Sequence, residues 1–266
     1  MTDHPAILIL GCGNMGGAML TGWLAAAVPA RFTVVDPLVT EVPAAVRLLR
    51  EVPAEPFDVV LLGVKPQTLN EAASALAPVM TDQTLLLSLL AGAELTSLAA
   101  RLPINGGIVR VMPNLAAALG KSPLGLYGAN LAHTARAQVT ALLAPLGTPE
   151  WLASEDQLDT VTALVGSGPA FVYRFIEALA AGGTALGLDP AQAQRLALSM
   201  VEGAAALAST ADQPPAELAR RVTSAGGTTA AGLMVLDQDA LLATLVADTL
   251  RAARDRGAEL AAAARG

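Results

Sequence analysis

The chain contains a single cysteine, two histidines, two lysines and only 3% aromatic residues, and each scarcity excludes something. Cys12 alone cannot close an internal disulfide and fits a reducing compartment. His4 and His133 stand apart from any acidic or sulfur partner at ligand spacing, so no metal centre is expected. No basic run and no basic-aromatic patch occurs, and the net charge of −7 with a pI near 4.8 makes nucleic acid an unsuitable partner. Charged residues are 15% of the chain against 53% hydrophobic ones. That apolar mass is mostly Ala, Leu and Val, a composition suited to closely packed helices and to more buried surface than a lone monomer needs.

Between Asp3 and Arg31 there is no formally charged side chain, a length that could span a bilayer. It holds Pro5, Asn14, Pro29 and five glycines, and no basic segment precedes it. A strand, a glycine turn and a buried helix account for it better, so the expectation is a cytoplasmic protein with no membrane partner.

Short apolar runs alternate with helical patterns through the first half. Ala6–Leu10, Arg31–Asp36, Val59–Gly63, Thr84–Ser88 and Gly107–Val111 read as strands, with a helix over Met15–Ala27. Nearly uncharged strands separated by helices predict a parallel sheet covered on both faces. From about Ser154 no strand pattern remains. Phe171–Leu186, Pro190–Ala208, Pro215–Val222, Thr228–Leu236 and Asp239–Ala264 carry helical spacing, broken at Gly187, Asp189-Pro190, Pro214-Pro215 and Gly226-Gly227. The expected organisation is therefore an α/β Rossmann-type dinucleotide-binding domain over 1–153 and an all-helical substrate-binding and dimerisation domain over 154–266.

Gly11-Cys12-Gly13-Asn14-Met15-Gly16 follows the first predicted strand and opens the first predicted helix. In a G-x-G-x-x-G turn the first glycine permits the tight bend and the second lets backbone approach a pyrophosphate. The third lets helix and strand pack closely. Amides at the helix start then face the phosphates. Asp36 ends the second predicted strand, twenty residues past Gly16. A carboxylate there accepts the adenosine ribose hydroxyls and repels a 2′-phosphate, which predicts NADH over NADPH; it equally suits a turn before Pro37. Arg47 and Arg50 follow closely enough to offer a phosphate contact.

Further segments narrow the reading. Gly63-Val64-Lys65-Pro66-Gln67 follows the third predicted strand and Arg110-Val111-Met112-Pro113-Asn114 the fifth. Gly166-Ser167-Gly168-Pro169-Ala170 and Val222-Thr223-Ser224-Ala225-Gly226-Gly227-Thr228-Thr229 come later. With the glycine turn, these five ordered segments resemble the signature set of pyrroline-5-carboxylate reductases over about residues 6 to 250. Two features differ from that family: Ala225 stands where it usually has proline, and Pro37–Asp58 is shorter than its counterpart.

The resemblance implies hydride transfer from NADPH or NADH to the C=N carbon of a small cyclic imine. Thr229 would hydrogen-bond the ring nitrogen, orienting the substrate and relaying a proton rather than acting as a strong acid. Ser224, Gly226, Gly227 and Thr228 would hold the substrate carboxylate through hydroxyls and the amides of a helix start, although such a turn is also an ordinary helix cap. Val64, Lys65 and Pro66 would line the pyrophosphate and nicotinamide ribose, while Leu90, Ala91, Met112, Pro113 and Asn114 would border the nicotinamide. Glu155 matches a position near the substrate, and an acidic residue in a helix's first turn explains it equally well. The implied assembly is a homodimer whose helical domains interlock, with a ring of dimers as a larger form.

Three other functions fit parts of the pattern. A 3-hydroxyacid dehydrogenase needs a catalytic lysine in the helical half, and no lysine follows Lys121. A non-catalytic nucleotide sensor has no need of the Gly226–Thr229 segment. A reductase of a related cyclic imine would differ only in pocket size.

Overall fold

The computed structural model describes residues 4–102 and 106–265, leaving residues 1–3, 103–105 and 266 of the expected domains outside it. Contacts divide the chain into two compact units. One comprises Met1–Gly166 with Ala253–Gly266, and the other Ser167–Ala252.

The first unit is built on an eight-stranded sheet among the described residues, in the order β3-β2-β1-β4-β5-β6-β7-β8. The strands are β1 (Ala6–Leu10), β2 (Arg31–Val35), β3 (Val46–Leu49), β4 (Val59–Leu62), β5 (Leu85–Ser88), β6 (Ile108–Met112), β7 (Ser122–Tyr127) and β8 (Gly147–Trp151). All neighbours pair in parallel except β6 and β7. The first six follow the doubly wound order, whose direction reverses between β1 and β4 and leaves a crevice at their carboxyl ends.

Alternation along the strands fills two cores. Ile7 and Ile9 of β1 and Val59 and Leu61 of β4 pack with Met19, Trp23 and Phe32 on one face. Leu8, Leu10, Val60 and Leu62 pack with Leu69, Leu76 and Leu98 on the other. Successive strand residues point to opposite faces, so a strand buried on both sides must be apolar throughout. The helices of this unit are α1 (Asn14–Ala25), α2 (Leu69–Leu76), α3 (Leu95–Arg101), α4 (His133–Leu143) and α5 (Gln157–Val161). Trp23 anchors α1: it is fully buried, stacks on Phe32 with centroids 5.6 Å apart, and donates its indole N–H to the Leu142 carbonyl at 2.8 Å.

Three strands lie where none was expected. β3 is an edge strand of four residues between Pro43 and Pro53, too short to show alternation. β7 contains Pro123, which pairs with Thr148 of β8, whereas β6 pairs only with Gly125–Tyr127, so the missing N–H interrupts no β6 ladder. β8 contains Pro149 and is half exposed along its length.

The division between units falls at 166/167 rather than at the expected 153/154. Leu158, Ala163 and Val165 are buried, and a side chain at Gly125 of β7 would collide with Val161 at 2.6 Å. The absent side chain lets α5 pack on the sheet. Thr162–Gly166 continues it as a π-helical turn.

The second unit is helical, with α6 (Gly168–Ala185), α7 (Pro190–Thr210), α8 (Pro215–Arg221) and α9 (Thr228–Leu236); α10 (Leu241–Arg265) begins in it. Gly187 at φ +105° ends α6, and Asp189 caps α7 by accepting the Gln192 amide at 3.0 Å. The helix expected from Asp239 starts later, because Asp239 has φ 50° and ψ 28° inside a short 3₁₀ turn over Gln238–Ala240. These helices bury little: α6, α8 and α9 contain no buried residue, and Tyr173, Phe175, Leu196, Leu198 and Met200 are exposed. Among the described residues no single helix is long and apolar enough to cross a membrane. Thr228–Leu236 and Gln238–Glu259, bent by 43° at their junction, reach that length only as a pair.

Candidate active site

The glycine turn sits at the point where strand order reverses. Gly11 adopts φ +87°, and a side chain on it would lie 2.7 Å from the Gly63 carbonyl carbon at the end of β4. Gly63 in turn donates its amide to the Leu10 carbonyl at 2.8 Å, and a side chain there would strike the Gly11 oxygen. Gly16 faces that oxygen as well, at 2.6 Å from its would-be Cβ. These three glycines are demanded by backbone contact. Gly13 is different: a Cβ there would meet no protein atom within 4 Å. Nothing in the fold requires a glycine at 13, and the space beside it is open. Gly13 serves as N-cap of α1 without any side-chain cap, so amides of the first turn are available to an anion. The residues present therefore fit a dinucleotide. Asn14 is exposed beside Gly13, and Met15 is half-buried.

Asp36 is buried, 8% exposed, and its carboxylate is engaged by backbone. One oxygen accepts the Cys12 amide at 2.8 Å; the other accepts the amides of Leu38 at 2.8 Å and Val39 at 3.2 Å. These bonds make Asp36 the turn-forming acid of one sequence reading and link it to the glycine turn. Arg50 donates to the carbonyls of Asp36 and Val39, whereas Arg47 is paired with Glu55 at 2.6 Å. Burial, and secondarily the Asp36 charge, push the Cys12 thiol above its ordinary value of 9.0, so Cys12 is neutral at physiological pH and no nucleophile.

Three loops follow the carboxyl ends of β4, β5 and β6. In the first, Val64 and Pro66 are half-buried and Lys65 is exposed. In the second, Leu90 is buried in the core, so only its backbone borders the crevice, while Ala91 is exposed at the loop tip. In the third, Met112 is half-buried and Pro113 buried. Asn114 serves as a bracket: it caps the turn at Ala116, donates to the Val165 carbonyl at 3.2 Å, and donates its amide to Ser122 Oγ at 2.9 Å.

Glu155 is held by two donors. Its Oε1 accepts the Leu95 amide at 2.7 Å and Arg110 Nη1 at 2.9 Å. The pair forms part of the wall of a cleft of about 400 Å³. Sequence reasoning gave Arg110 no separate role, although an arginine inside the otherwise apolar strand Ile108–Met112 was the signal that a buried partner awaited it.

In the second unit the Ser224–Thr229 segment is a turn leading into α9. Gly226 has φ +71°, the Gly227 amide donates to the Ser224 carbonyl at 3.0 Å, and Gly227 caps α9 without side-chain help. Ser224, Thr228 and Thr229 are exposed. Ser224 Oγ lies 2.4 Å from where a Gly227 side chain would begin, so a larger residue there would turn the Ser224 hydroxyl away.

Comparison with known proteins covers nearly the whole chain. Residues 155–260 match the family model for pyrroline-5-carboxylate reductase dimerisation, and residues 6–92 match that for NADP oxidoreductase, coenzyme F420-dependent. A pyrroline-5-carboxylate reductase from Pseudomonas aeruginosa is 38% identical over 97% of both chains. The chain belongs to the pyrroline-5-carboxylate reductase family. Another member, from Methanosarcina acetivorans, is 32% identical over 97% of this chain and 98% of its own. Among solved structures, a pyrroline-5-carboxylate reductase from Coxiella burnetii superposes with a TM-score of 0.89 at 29% identity, covering 97% of this chain and 99% of its own. One from Plasmodium falciparum with NADP bound gives 0.81 at 25% identity, covering 97% and 98%. The fold is thus the Rossmann-type domain and helical dimerisation region of this family, and its cofactor class is NAD(P)H.

Within the family, Ala225 in place of proline leaves that turn with one more free φ angle. Gly226 and Gly227 keep the geometry that presents the start of α9.

Proposed function

We propose that the protein reduces 1-pyrroline-5-carboxylate to L-proline with NADPH or NADH, and that Ser224–Thr229 holds the substrate. The observation that carries the substrate site is the start of α9. Its first-turn amides have no side-chain cap, and three hydroxyls cluster around the Gly226-Gly227 turn. A carboxylate is the anion such a terminus accepts best when hydroxyls supplement the amides. Ser224 and Thr228, with the Gly226 amide and the first-turn amides of α9, bind that carboxylate and fix the ring, while Gly227, whose own amide closes the turn onto Ser224, sets their direction. Thr229 Oγ1 hydrogen-bonds the ring nitrogen, holding a proton there so that the adjacent carbon becomes electrophilic. The cofactor supplies the hydride from C4 of its nicotinamide.

Gly11, Gly13, Asn14, Met15 and Gly16 hold the pyrophosphate, with Val64, Lys65 and Pro66 on its far side. Leu90, Ala91, Met112, Pro113 and Asn114 shape the nicotinamide pocket. Asp36 lies beside the adenosine ribose, and the ratio of NADH to NADPH activity measures how far it disfavours a 2′-phosphate. The working form is a homodimer in the cytoplasm, open to assembly into a ring of dimers. The exposed apolar side chains of α6, α7 and α9 support an interface between subunits, since patches of that extent rarely face water.

Oxidation of NADH and NADPH, followed in parallel with pyrroline-5-carboxylate and with L-proline quantified, tests this reading. Substrate-dependent oxidation matched by proline supports it. A folded, nucleotide-binding protein that leaves the substrate untouched would move the assignment to another cyclic imine or to a sensor.

A further inference from the structure

The nicotinamide half of a dinucleotide lies over the second mononucleotide unit of a doubly wound sheet, at the carboxyl ends of β4, β5 and β6. The loop after β5 is secured at its start by Ser88 Oγ, which accepts the Leu90 amide at 3.3 Å. It bends through Gly92 at φ +75° and enters α3 at Leu95. Glu94, the N-cap of α3, makes no side-chain cap bond, and the first amide of α3, that of Leu95, needs an acceptor from elsewhere. Glu155, sixty residues later, supplies one. The same Oε1 takes Arg110 of β6, two residues before Met112. The Arg110 side chain is 8% exposed and that of Glu155 26%.

We propose that Glu155 is a positioning residue for hydride transfer: it ties the β5–α3 loop to β6 and thereby sets the two walls between which the nicotinamide ring is oriented, without itself touching the substrate. The proposal rests on the reading of Ala91 and Met112 as nicotinamide neighbours. Its chemistry follows from the sharing of one oxygen. The Arg110 guanidinium holds the carboxylate oxygen in place, and that oxygen in turn fixes the start of α3. Loss of the carboxylate frees the loop tip at Ala91 and strands the Arg110 charge. The pyrophosphate and adenosine contacts proposed above follow β1, β2 and β4, away from the loop that Glu155 holds. Nucleotide affinity should therefore survive while ring orientation does not, and hydride transfer tolerates little misplacement.

The test compares wild type, Glu155→Ala, Glu155→Gln and the double variant Arg110→Met/Glu155→Gln, each checked for folding by circular dichroism. NADPH is titrated without substrate, reading both its affinity and the emission of its bound nicotinamide, and steady-state rates are measured separately. Glu155→Ala should bind NADPH within about threefold of wild type, lose the emission characteristic of the bound ring, and lose about 10- to 100-fold in kcat. Its KM for pyrroline-5-carboxylate should barely change. Glu155→Gln, which keeps an acceptor for the Leu95 amide, should recover most of both. If Glu155→Ala does not fold, the double variant carries the test. It leaves no stranded charge but severs the link to β6, so it should lose the emission characteristic of the bound ring, and wild-type emission in it would overturn the proposal.

A tenfold or greater rise in substrate KM for Glu155→Gln with unchanged nicotinamide emission would place Glu155 on the substrate and overturn the proposal. Wild-type emission and kcat in Glu155→Ala would overturn it too. The emission readout needs no substrate. A wild type that binds NADPH but leaves pyrroline-5-carboxylate untouched would therefore defeat the substrate assignment while Glu155 is still judged on emission.

Discussion

The Asp36 carboxylate accepts the Cys12 amide at 2.8 Å, which makes one side chain both the clamp of the glycine turn and the charge beside the adenosine end. Its second oxygen holds the Leu38 and Val39 amides. Asp36→Ser should therefore do two separable things. Stability should fall by about 1–3 kcal/mol, because buried amides lose their acceptor. The NADH-to-NADPH ratio of kcat/KM should fall as repulsion of a 2′-phosphate is relieved. Denaturant unfolding reads the first and steady-state kinetics the second. A stability loss without any change in cofactor ratio would reduce Asp36 to a turn residue.

Cys12 offers a pH-dependent check of the same neighbourhood. Burial first and the Asp36 charge second raise its thiol above 9.0, so the folded state holds the proton more tightly than the unfolded chain. The resulting stability is fully present below the unfolded value and is lost as pH rises through the folded one. Unfolding free energy should thus decline from about pH 9 upward, and Cys12→Ala should remove part of that decline. Iodoacetamide should also modify native Cys12 more slowly than the unfolded protein at pH 7.5.

Two glycines of one motif should respond differently to the same substitution. Gly11→Ala forces a side chain onto the Gly63 backbone at 2.7 Å from a φ of +87°, and should cost at least about 1–3 kcal/mol in stability. Gly13→Ala meets no protein atom, so its melting temperature should stay near wild type while nucleotide affinity falls on the order of tenfold, ~1.4 kcal/mol. Thermal melts with and without NADPH separate the two outcomes. Equal destabilisation by both would contradict the assignment of Gly13 to the phosphates.

The helical unit should not persist alone in water. Phe175→Glu and Leu198→Glu place charge among exposed apolar side chains of α6 and α7, and should convert a dimer to monomers in sedimentation velocity at micromolar concentration. Wild-type protein that remains monomeric and active at the same concentration would remove the dimer.

Much of this was legible in advance because the informative residues announce themselves locally. β1 and β4 are apolar throughout and β2, β5 and β6 nearly so, and a run such as Ala6–Leu10 has few alternatives. β3, β7 and β8 were illegible because edge position and the prolines at 123 and 149 remove the alternation that marks a strand. The π turn that draws α5 into the first unit depends on Gly125 accepting Val161, a contact between residues thirty-six apart that no local pattern carries. The same holds for the site. The glycine turn can be read from spacing, whereas the Glu155 link to Leu95 and Arg110 spans sixty and forty-five residues and exists only once the sheet has formed.

The most direct test of the account is Thr229→Ala, compared with wild type for pyrroline-5-carboxylate reduction and for NADPH binding. Loss of a hydrogen bond to a charged ring nitrogen predicts a fall of roughly 10- to 100-fold in kcat/KM, with the NADPH dissociation constant and melting temperature unchanged. A variant that reduces the substrate at the wild-type rate would show that the start of α9 does not hold the imine nitrogen, and the proposed substrate site would have to be sought elsewhere in the chain.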